Sequence, residues 1–373
     1  MDAKNKAPLP FASIYLKGTS IGTVSNIEGA FVFHVPSKYE EDTITISMIG
    51  YESIERVFDD FKDGAHIPLE EKVLTLDEVI VNDKKPLSAK EIVSKAYQSI
   101  AINYPSKSYI LEGFIRDLQN EDSVYVELLE CAVKMQYQPN QVKKIPEIEL
   151  VALKQSYVTE KHPWNDQWER KNSIIDLVED DFIRFDYGPI KAKNGWKYEV
   201  ESVVPIGEKL AYKINAVNKP FYEAQFFIDV DSYAFIKIDY SRRAQSKRYY
   251  KRRLANGQQE QYYNLVFEYQ YFKGKWYLKY QKEEDVWQIF KGPESKKLIF
   301  TKYPKKELFI NKVVIADLEA YSFTDNLDHT QSVENQAKPY DPDFWKYYNF
   351  PVQTKEQSKI EVYLKEANIK IDE

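Results

Sequence analysis

Apolar and polar side chains alternate in short runs over the first part of the chain, and turn residues separate the runs. Phe31, Phe33 and Val35 fall on one face of such a run, as expected for a strand with one buried side. One apolar face per strand at this spacing predicts a small antiparallel β-sandwich. The runs that we predict as strands are residues 12–17, 22–25, 30–35, 42–48 and 53–58.

A helix is predicted after a polar linker at residues 82–86. Ser88 and Glu91 have the spacing of a capping box, in which each residue bonds the backbone N–H of the other. Apolar residues at helical spacing follow, and we expect the helix to run from Ser88 to about Ile102. Its amphipathic pattern predicts that it lies on a sheet.

Long alternating strands occupy most of the remaining chain. Two of them, over residues 263–271 and 276–280, flank Lys273 and Gly274, which predicts a hairpin. The pattern favours one large, curved antiparallel sheet packed on at least one helix. We therefore predict a mainly β protein, with a sandwich over residues 1–82 and a curved-sheet α+β domain with a C-terminal tail over residues 83–373.

Hydropathy and charge predict that neither domain spans a membrane. No run approaches the roughly 18 apolar residues that a membrane-spanning helix needs, and the segment from Trp276 to Trp287 carries charges on both faces. Among residues 1–85, 15 acidic side chains against 9 basic ones account for the whole net charge of −6. This asymmetry supports a domain boundary near residue 85.

Motifs for cofactors, metals and covalent catalysis are missing from the sequence. Gly18 and Gly22 belong to a glycine-rich segment without the Gly-Lys-Ser/Thr ending of a phosphate-binding loop, and no Gly-x-Ser-x-Gly elbow occurs. Cys131 lies in an apolar run, which indicates a buried structural thiol. We therefore predict no catalytic, cofactor-binding or metal-binding residue and no enzymatic activity. No metal-ligand spacing connects the four histidines, His34, His66, His162 and His329.

A basic cluster lies between two predicted strands. Its charges are compatible with an exposed hairpin connection, and we also consider contact with anionic lipid or polysaccharide headgroups. Nucleic acid is not expected as a partner, because the domain as a whole is neutral. The cationic residues are Arg242, Arg243, Lys247, Arg248, Lys251, Arg252 and Arg253.

The first domain resembles the carboxypeptidase-like regulatory domain. The similar segments are residues 8–14, 18–31, 46–52 and 76–81. The resemblance implies a transthyretin-like β-sandwich that accompanies other domains and is not itself a peptidase. It also implies a Gram-negative cell-envelope protein, since the family commonly stands at the front of such proteins, including TonB-dependent transporters.

One strand of that family pattern is expected but missing. The family begins with a Gly-x-Val-x-Asp strand, of which only Met1 and Asp2 correspond here. Without it the sandwich would have an unpaired edge. We therefore expect the natural chain to start further upstream, with this strand and an export signal, and the protein to be periplasmic or associated with the outer membrane.

The second domain is similar to the curved half-barrel of LolA-type lipoprotein carriers, a similarity based on residues 226–236 and the Lys273-Gly274 hairpin. The favoured function is a non-enzymatic envelope binding or scaffold protein, whose partner is an envelope protein, a glycan or a lipid. One alternative is a lipid or lipoprotein carrier. Another is a hydrolase with a site assembled from distant residues, which a pocket with a perturbed acid or base near His162 or His329 would favour. In the carrier, the ligand would be lined by Phe226, Ile228, Leu265, Phe267 and Tyr269, although apolar strand faces usually form packed core, here beneath the helix.

Overall fold

The structure is a computed structural model. It describes residues 1–72, 87–138, 144–157, 172–192, 195–218, 221–243, 257–321, 323, 325–336 and 340–369. The predicted linker at residues 82–86 and the last motif of the N-terminal resemblance, residues 76–81, lie outside these ranges.

Four strands are found in the N-terminal domain: β1 Ser13–Leu16, β2 Gly22–Val24, β3 Thr43–Ser47 and β4 Ile54–Val57. They form an antiparallel sheet with the order β2-β1-β3-β4. The apolar core of this domain includes Ile14, Leu16 and Ile46, which are buried as the alternation predicts. Gly29 closes the turn after β2 with φ of 72°, a conformation that favours glycine.

Residues 30–35 were predicted as one of five strands, but they form no ladder with another strand among the described residues. Phe31, Phe33 and Val35 nevertheless pack against the core of the sandwich, as their shared face requires. On the opposite side, the backbone of His34 bonds the side-chain amide of Asn349. The alternation therefore identified the buried face correctly, but it could not predict the missing hydrogen-bonded neighbour.

The second domain is built on one large antiparallel sheet. Its strands are β5 Tyr109–Glu121, β6 Val124–Tyr137, β7 Glu147–Tyr157, β8 Lys197–Ile206, β9 Lys209–Asn218, β10 Tyr222–Asp229, β11 Phe235–Arg243, β12 Gln258–Phe272, β13 Lys275–Phe290, β14 Leu298–Lys302 and β15 Lys305–Val314. Their order is β7-β6-β5-β14-β13-β12-β11-β10-β9-β8, and β15 pairs with β13 and β5. The predicted Lys273-Gly274 hairpin joins β12 and β13.

Short helices cover one face of this sheet, which we call the inner face. They are α1 Ala89–Gln98, α2 Ile100–Asn103, α3 Ser173–Glu179 and α4 Phe182–Phe185. The predicted capping box begins α1: the Ser88 backbone donates to Glu91 at 2.7 Å, and the Glu91 backbone donates to the Ser88 hydroxyl at 3.3 Å. Ile92 and Val93 of α1 are buried in the main core, so the helix lies on the sheet as predicted.

The opposite, outer face of the sheet is also covered. The sandwich lies on part of it, where Ser20 exchanges two hydrogen bonds with the backbone of Val313 and Gly50 donates to Pro205. The C-terminal segment covers another part through Trp345 on α5 Pro342–Tyr347, followed by α6 Lys355–Ile369. The fold is thus mainly β, a small sheet plus a large curved sheet with few helices, as predicted. Among the described residues no helix is long and apolar enough to cross a membrane.

Candidate functional site

Four of the five residues predicted to line a ligand belong to the packed core of the inner face. Phe226, Ile228, Leu265 and Phe267 are fully buried. The ring of Phe182 on α4 lies with its centroid 4.9 Å from that of Phe267, so the helix occupies the space above the sheet. Tyr269, at the end of the same strand, is different because it lines an open pocket.

This aromatic pocket lies where α2, α4, the start of β5, the end of β6 and the β12–β13 hairpin meet. Its volume is about 280 Å³, at the small end of the range for ligand pockets. Its rings come from Tyr104, Tyr109, Tyr137, Tyr269, Trp276 and Tyr277, its aliphatic walls from Ile100, Ile183 and Leu278, and its charged groups from Lys107, Asp181 and Arg184.

The rings of the aromatic pocket hold one another in place. Tyr109 stacks on Tyr137 with 4.7 Å between centroids and meets Tyr277 edge-on at 5.2 Å. Tyr104 meets Tyr269 edge-on at 5.2 Å, and its hydroxyl donates to the carbonyl of Phe235 at 2.6 Å. Rings fixed by stacking and hydrogen bonds give a preformed apolar surface, which lowers the entropic cost of binding.

Asp181 and Arg184 give the pocket a polar side. Asp181 caps α4 by accepting from the backbone of Ile183 and of Arg184 at 2.9 and 3.2 Å, and it accepts from the hydroxyl of Tyr269 at 3.1 Å. Burial raises the pKa of Asp181, while these hydrogen bonds oppose that shift. The Arg184 guanidinium lies over the ring of Tyr137 at 4.3 Å. The pocket can therefore accept an apolar group and contact a polar group at its edge.

A second polar group lies deeper on the inner face, on alternate residues of β13. Glu283 and Asp285 are both 7% exposed, and Lys306 approaches Glu283 at 3.3 Å. Burial and then the neighbouring charge of Glu283 raise the pKa of Asp285 to about 9. Because neither carboxyl lines the aromatic pocket, we assign this pair to the structure of the sheet rather than to ligand binding.

The other predicted features are not brought together at the pocket. His34, His66 and His329 are exposed, and His162 lies outside the described residues. Cys131 is fully buried, which raises the pKa of its thiol. Within the described parts of the chain, no three His, Cys, Asp or Glu side chains form a group that could hold a metal ion.

The basic cluster is only partly described. Arg242 is paired with Glu260 at 2.6 Å, and the guanidinium of Arg243 lies 5.8 Å from the ring centre of Tyr262. The carboxylate of Glu260 on β12 therefore compensates the charge of Arg242 on β11, which makes Arg242 a poor contact for an anionic surface. The remaining cations, Lys247, Arg248, Lys251, Arg252 and Arg253, lie outside the described residues.

Comparison with known proteins supports the N-terminal resemblance. Residues 1–81 match the family model of the CarboxypepD_reg-like domain. The comparison with curated proteins finds none that matches this chain.

Three solved structures are similar to the curved-sheet part. A LolA superfamily protein from Nitrosomonas europaea is 11% identical with a TM-score of 0.24, over 64% of this chain and 98% of that one. A putative outer membrane lipoprotein-sorting protein domain from Vibrio parahaemolyticus is 11% identical with a TM-score of 0.27, over 61% and 94%. A DUF1329 family protein from Desulfovibrio piger is 9% identical with a TM-score of 0.28, over 62% and 95%. Likeness this weak carries no functional conclusion, and the pocket is interpreted from its own residues.

Most of the pocket residues were not predicted. Tyr104, Tyr109 and Tyr137 come from a helix end and two strand ends that are remote in sequence, and Asp181 comes from a capped helical turn. The available indication was the high tyrosine content, 29 residues, because tyrosine suits surfaces that are apolar on one side and wet on the other.

Proposed function

We propose that the protein is a non-enzymatic binding protein of the cell envelope, and that its aromatic pocket holds the acyl chain of a lipid or lipoprotein. The observation that supports this most directly is the pocket itself, in which six aromatic rings and three aliphatic side chains surround about 280 Å³. Apolar walls with a few polar groups at one edge are typical of sites for amphipathic ligands.

The charged residues orient the proposed ligand. Lys107 and Arg184 line the pocket and carry positive charge, and Arg184 also donates to the carbonyl of Lys144 at 3.0 and 3.2 Å. The carboxyl group of Asp181 accepts from Tyr269 and from the start of α4. An anionic headgroup would therefore face Lys107 and Arg184, with the acyl chain directed toward Tyr109 and Leu278.

The N-terminal sandwich supports the proposed location. Its family resemblance implies an envelope protein, and we propose the periplasm or the periplasmic side of the outer membrane. The sandwich lies on the outer face of the sheet, whereas α2 and α4, which line the aromatic pocket, lie on the inner face. In this arrangement it would serve as the attachment or spacing module, while the inner face binds the ligand.

A rim variant tests the proposal with little risk to folding. Ala101 is exposed and lines the pocket, so Ala101→Trp would place a large ring in the opening. Ile102 is the next residue, is 72% exposed and does not line the pocket, so Ile102→Trp is the matched control. The probe is cis-parinaric acid, a fluorescent fatty acid, titrated into each protein.

We expect the wild type and Ile102→Trp to bind the probe equally, and Ala101→Trp to bind about tenfold or more weakly, a loss of about 1.4 kcal/mol. Equal binding by Ala101→Trp and the control would contradict the proposed site. Native mass spectrometry of protein purified from its own envelope adds a second measurement. A bound lipid supports the carrier, whereas a clean apo mass with a co-purified protein or glycan indicates an interaction module instead.

A further inference from the structure

A second cavity lies between the sandwich and the outer face of the large sheet. Its volume is about 230 Å³. Phe11, Ser13 and Met48 approach from the sandwich side, and Ile236 and Lys279 form part of the sheet side. We call it the interdomain cavity. Seven of its twelve lining residues are apolar or aromatic, and three carry a charge, which is unusual for groups enclosed between two packed domains.

A β-bulge directs Lys279 into this cavity. In the ladder between β12 and β13, Glu268 pairs with Tyr280 and Tyr269 pairs with Leu278, so Lys279 has no partner in the register. Bulges of this kind re-aim side chains. Tyr280 stacks on Phe11 of the sandwich at 5.1 Å, and the Lys279 ammonium bonds the Ser13 hydroxyl, so both neighbouring residues face the sandwich.

The interdomain cavity contains one more positive charge than negative charge. Lys237 forms an ion pair with Glu268 at 2.7 Å, and Glu268 is the one carboxylate among the described residues that line the cavity, so its single charge is shared between two lysines. Lys279 forms no ion pair with any described residue, and its hydrogen-bond partner is the neutral Ser13 hydroxyl. An ammonium group has three N–H donors, so most of its bonding capacity remains open.

Burial lowers the pKa of Lys279, and the nearby Lys237 lowers it further, while Glu268 opposes both effects. The charged form of Lys279 therefore lacks a sufficient counter-charge inside the cavity. A bound anion would supply it, and would favour the protonated lysine in turn.

We propose that the interdomain cavity binds a small monocarboxylate with a short apolar tail. The carboxylate would accept from the Lys279 ammonium and from the Ser13 hydroxyl, which keeps its own hydrogen free because its oxygen accepts from Lys279. The tail would lie against Met48 and Ile236. A single excess charge in an apolar wall matches a monoanion better than a phosphate dianion.

Isothermal titration calorimetry with butyrate tests this site, with butyramide as the neutral analogue and inorganic phosphate as the dianion. Lys279→Met removes the ammonium and keeps a chain of similar length. The matched control is Lys282→Met, since Lys282 lies on the same strand but pairs with Glu284 at 2.8 Å and does not line the cavity. Ser13→Ala removes the second donor and leaves the charge.

We expect butyrate to bind the wild type and Lys282→Met equally, to bind Lys279→Met about tenfold or more weakly, and to bind Ser13→Ala with an intermediate loss. Butyramide and phosphate should bind at least about tenfold more weakly than butyrate. Butyrate binding should also weaken as pH rises, because burial lowers the pKa of Lys279 and this ammonium loses its proton before the other groups of the cavity change charge. The pKa values of Lys237 and Tyr269 are raised, and the pKa of Glu268 is lowered, so these three groups keep their charge states over that range.

Two results would overturn the proposal: equal butyrate binding by Lys279→Met and the wild type, or equal binding of butyrate and butyramide by the wild type. The outcome is separable from that of the aromatic pocket, although Tyr269 borders both cavities. Ala101→Trp should leave butyrate binding unchanged, and Lys279→Met should leave binding of cis-parinaric acid unchanged.

Discussion

Replacing Asp285 by asparagine should remove the part of the pH dependence of the free energy of unfolding that the Asp285 carboxyl group causes. Asp285 is 7% exposed on the inner face of β13, two residues from the equally buried Glu283. Burial, and then repulsion from Glu283, raises the pKa of Asp285 to about 9 from its ordinary value of 3.8. The folded protein therefore keeps a proton at neutral pH that the unfolded chain releases.

The sign and size of the effect follow from this difference in bound protons. The protonated Asp285 stabilises the folded state fully below the unfolded pKa of 3.8. This contribution is lost as pH rises toward the folded pKa of about 9. One proton changes the free energy of unfolding by about 1.4 kcal/mol per pH unit, so the wild type should lose about 2–3 kcal/mol between pH 5 and pH 7 through this group. Asparagine resembles the protonated acid but does not titrate, so Asp285→Asn should be more stable than the wild type at pH 7.

Denaturant unfolding at pH 5, 6, 7 and 8, followed by near-ultraviolet circular dichroism of the aromatic core, measures the slope. Glu284→Gln is the matched control, since Glu284 is adjacent, 35% exposed and paired with Lys282 on the outer side. We expect the control to keep the wild-type slope. Parallel pH profiles for Asp285→Asn and the wild type would refute a retained proton at this position.

Three further predictions concern packing and capping, and each is measured by denaturant unfolding at pH 7. Ser88→Ala removes the cap of α1 and should cost about 1 kcal/mol, while an unchanged free energy of unfolding would contradict its capping role. Trp345→Ala leaves a cavity beside Phe114, whose ring centroid is 6.1 Å away, and should cost about 3–5 kcal/mol; a loss below about 1 kcal/mol would show that this region is loosely packed. Arg116→Met removes the ion pair with Glu130, both side chains being 3% exposed; Glu130 keeps Lys154 at 3.7 Å and the amide of Gln353 at 3.1 Å, so the cost should be about 2–3 kcal/mol. Adding Glu130→Leu should recover part of that loss, and failure to do so would argue against an undercompensated buried carboxylate as its cause.

The sequence was most informative where one physical rule decides the local structure. Alternation located the four strands of the small sheet and the β12–β13 hairpin of the large one, and the Ser88–Glu91 spacing located the start of the first helix, because these signals are contained within a few residues. The same alternation identified the buried face of residues 30–35 but not the missing ladder, since pairing depends on a neighbour that a local pattern does not contain.

The binding features depend on information that is not local. Phe267 and Tyr269 have the same parity on β12, yet Phe267 is covered by α4 and Tyr269 lines the aromatic pocket. Only the position of a remote helix distinguishes them. Lys279 is a sharper case, because simple alternation places it on the same face as Gln281, whereas the bulge turns it toward the sandwich.

The C-terminal segment has a consequence for the order of assembly. Asn349 bonds the backbone of His34 across 315 positions, and Asn26 donates to Val352 across 326 positions. These contacts connect the sandwich with the last part of the chain, so they cannot form until nearly the whole protein has been synthesised. At a rate of synthesis of about 5–20 residues per second, these contacts would form roughly 15–60 s after the sandwich has been synthesised. During that interval the edge at residues 30–35 would lack its Asn349 contact, so the nascent protein is more exposed to wrong strand pairing than the finished one.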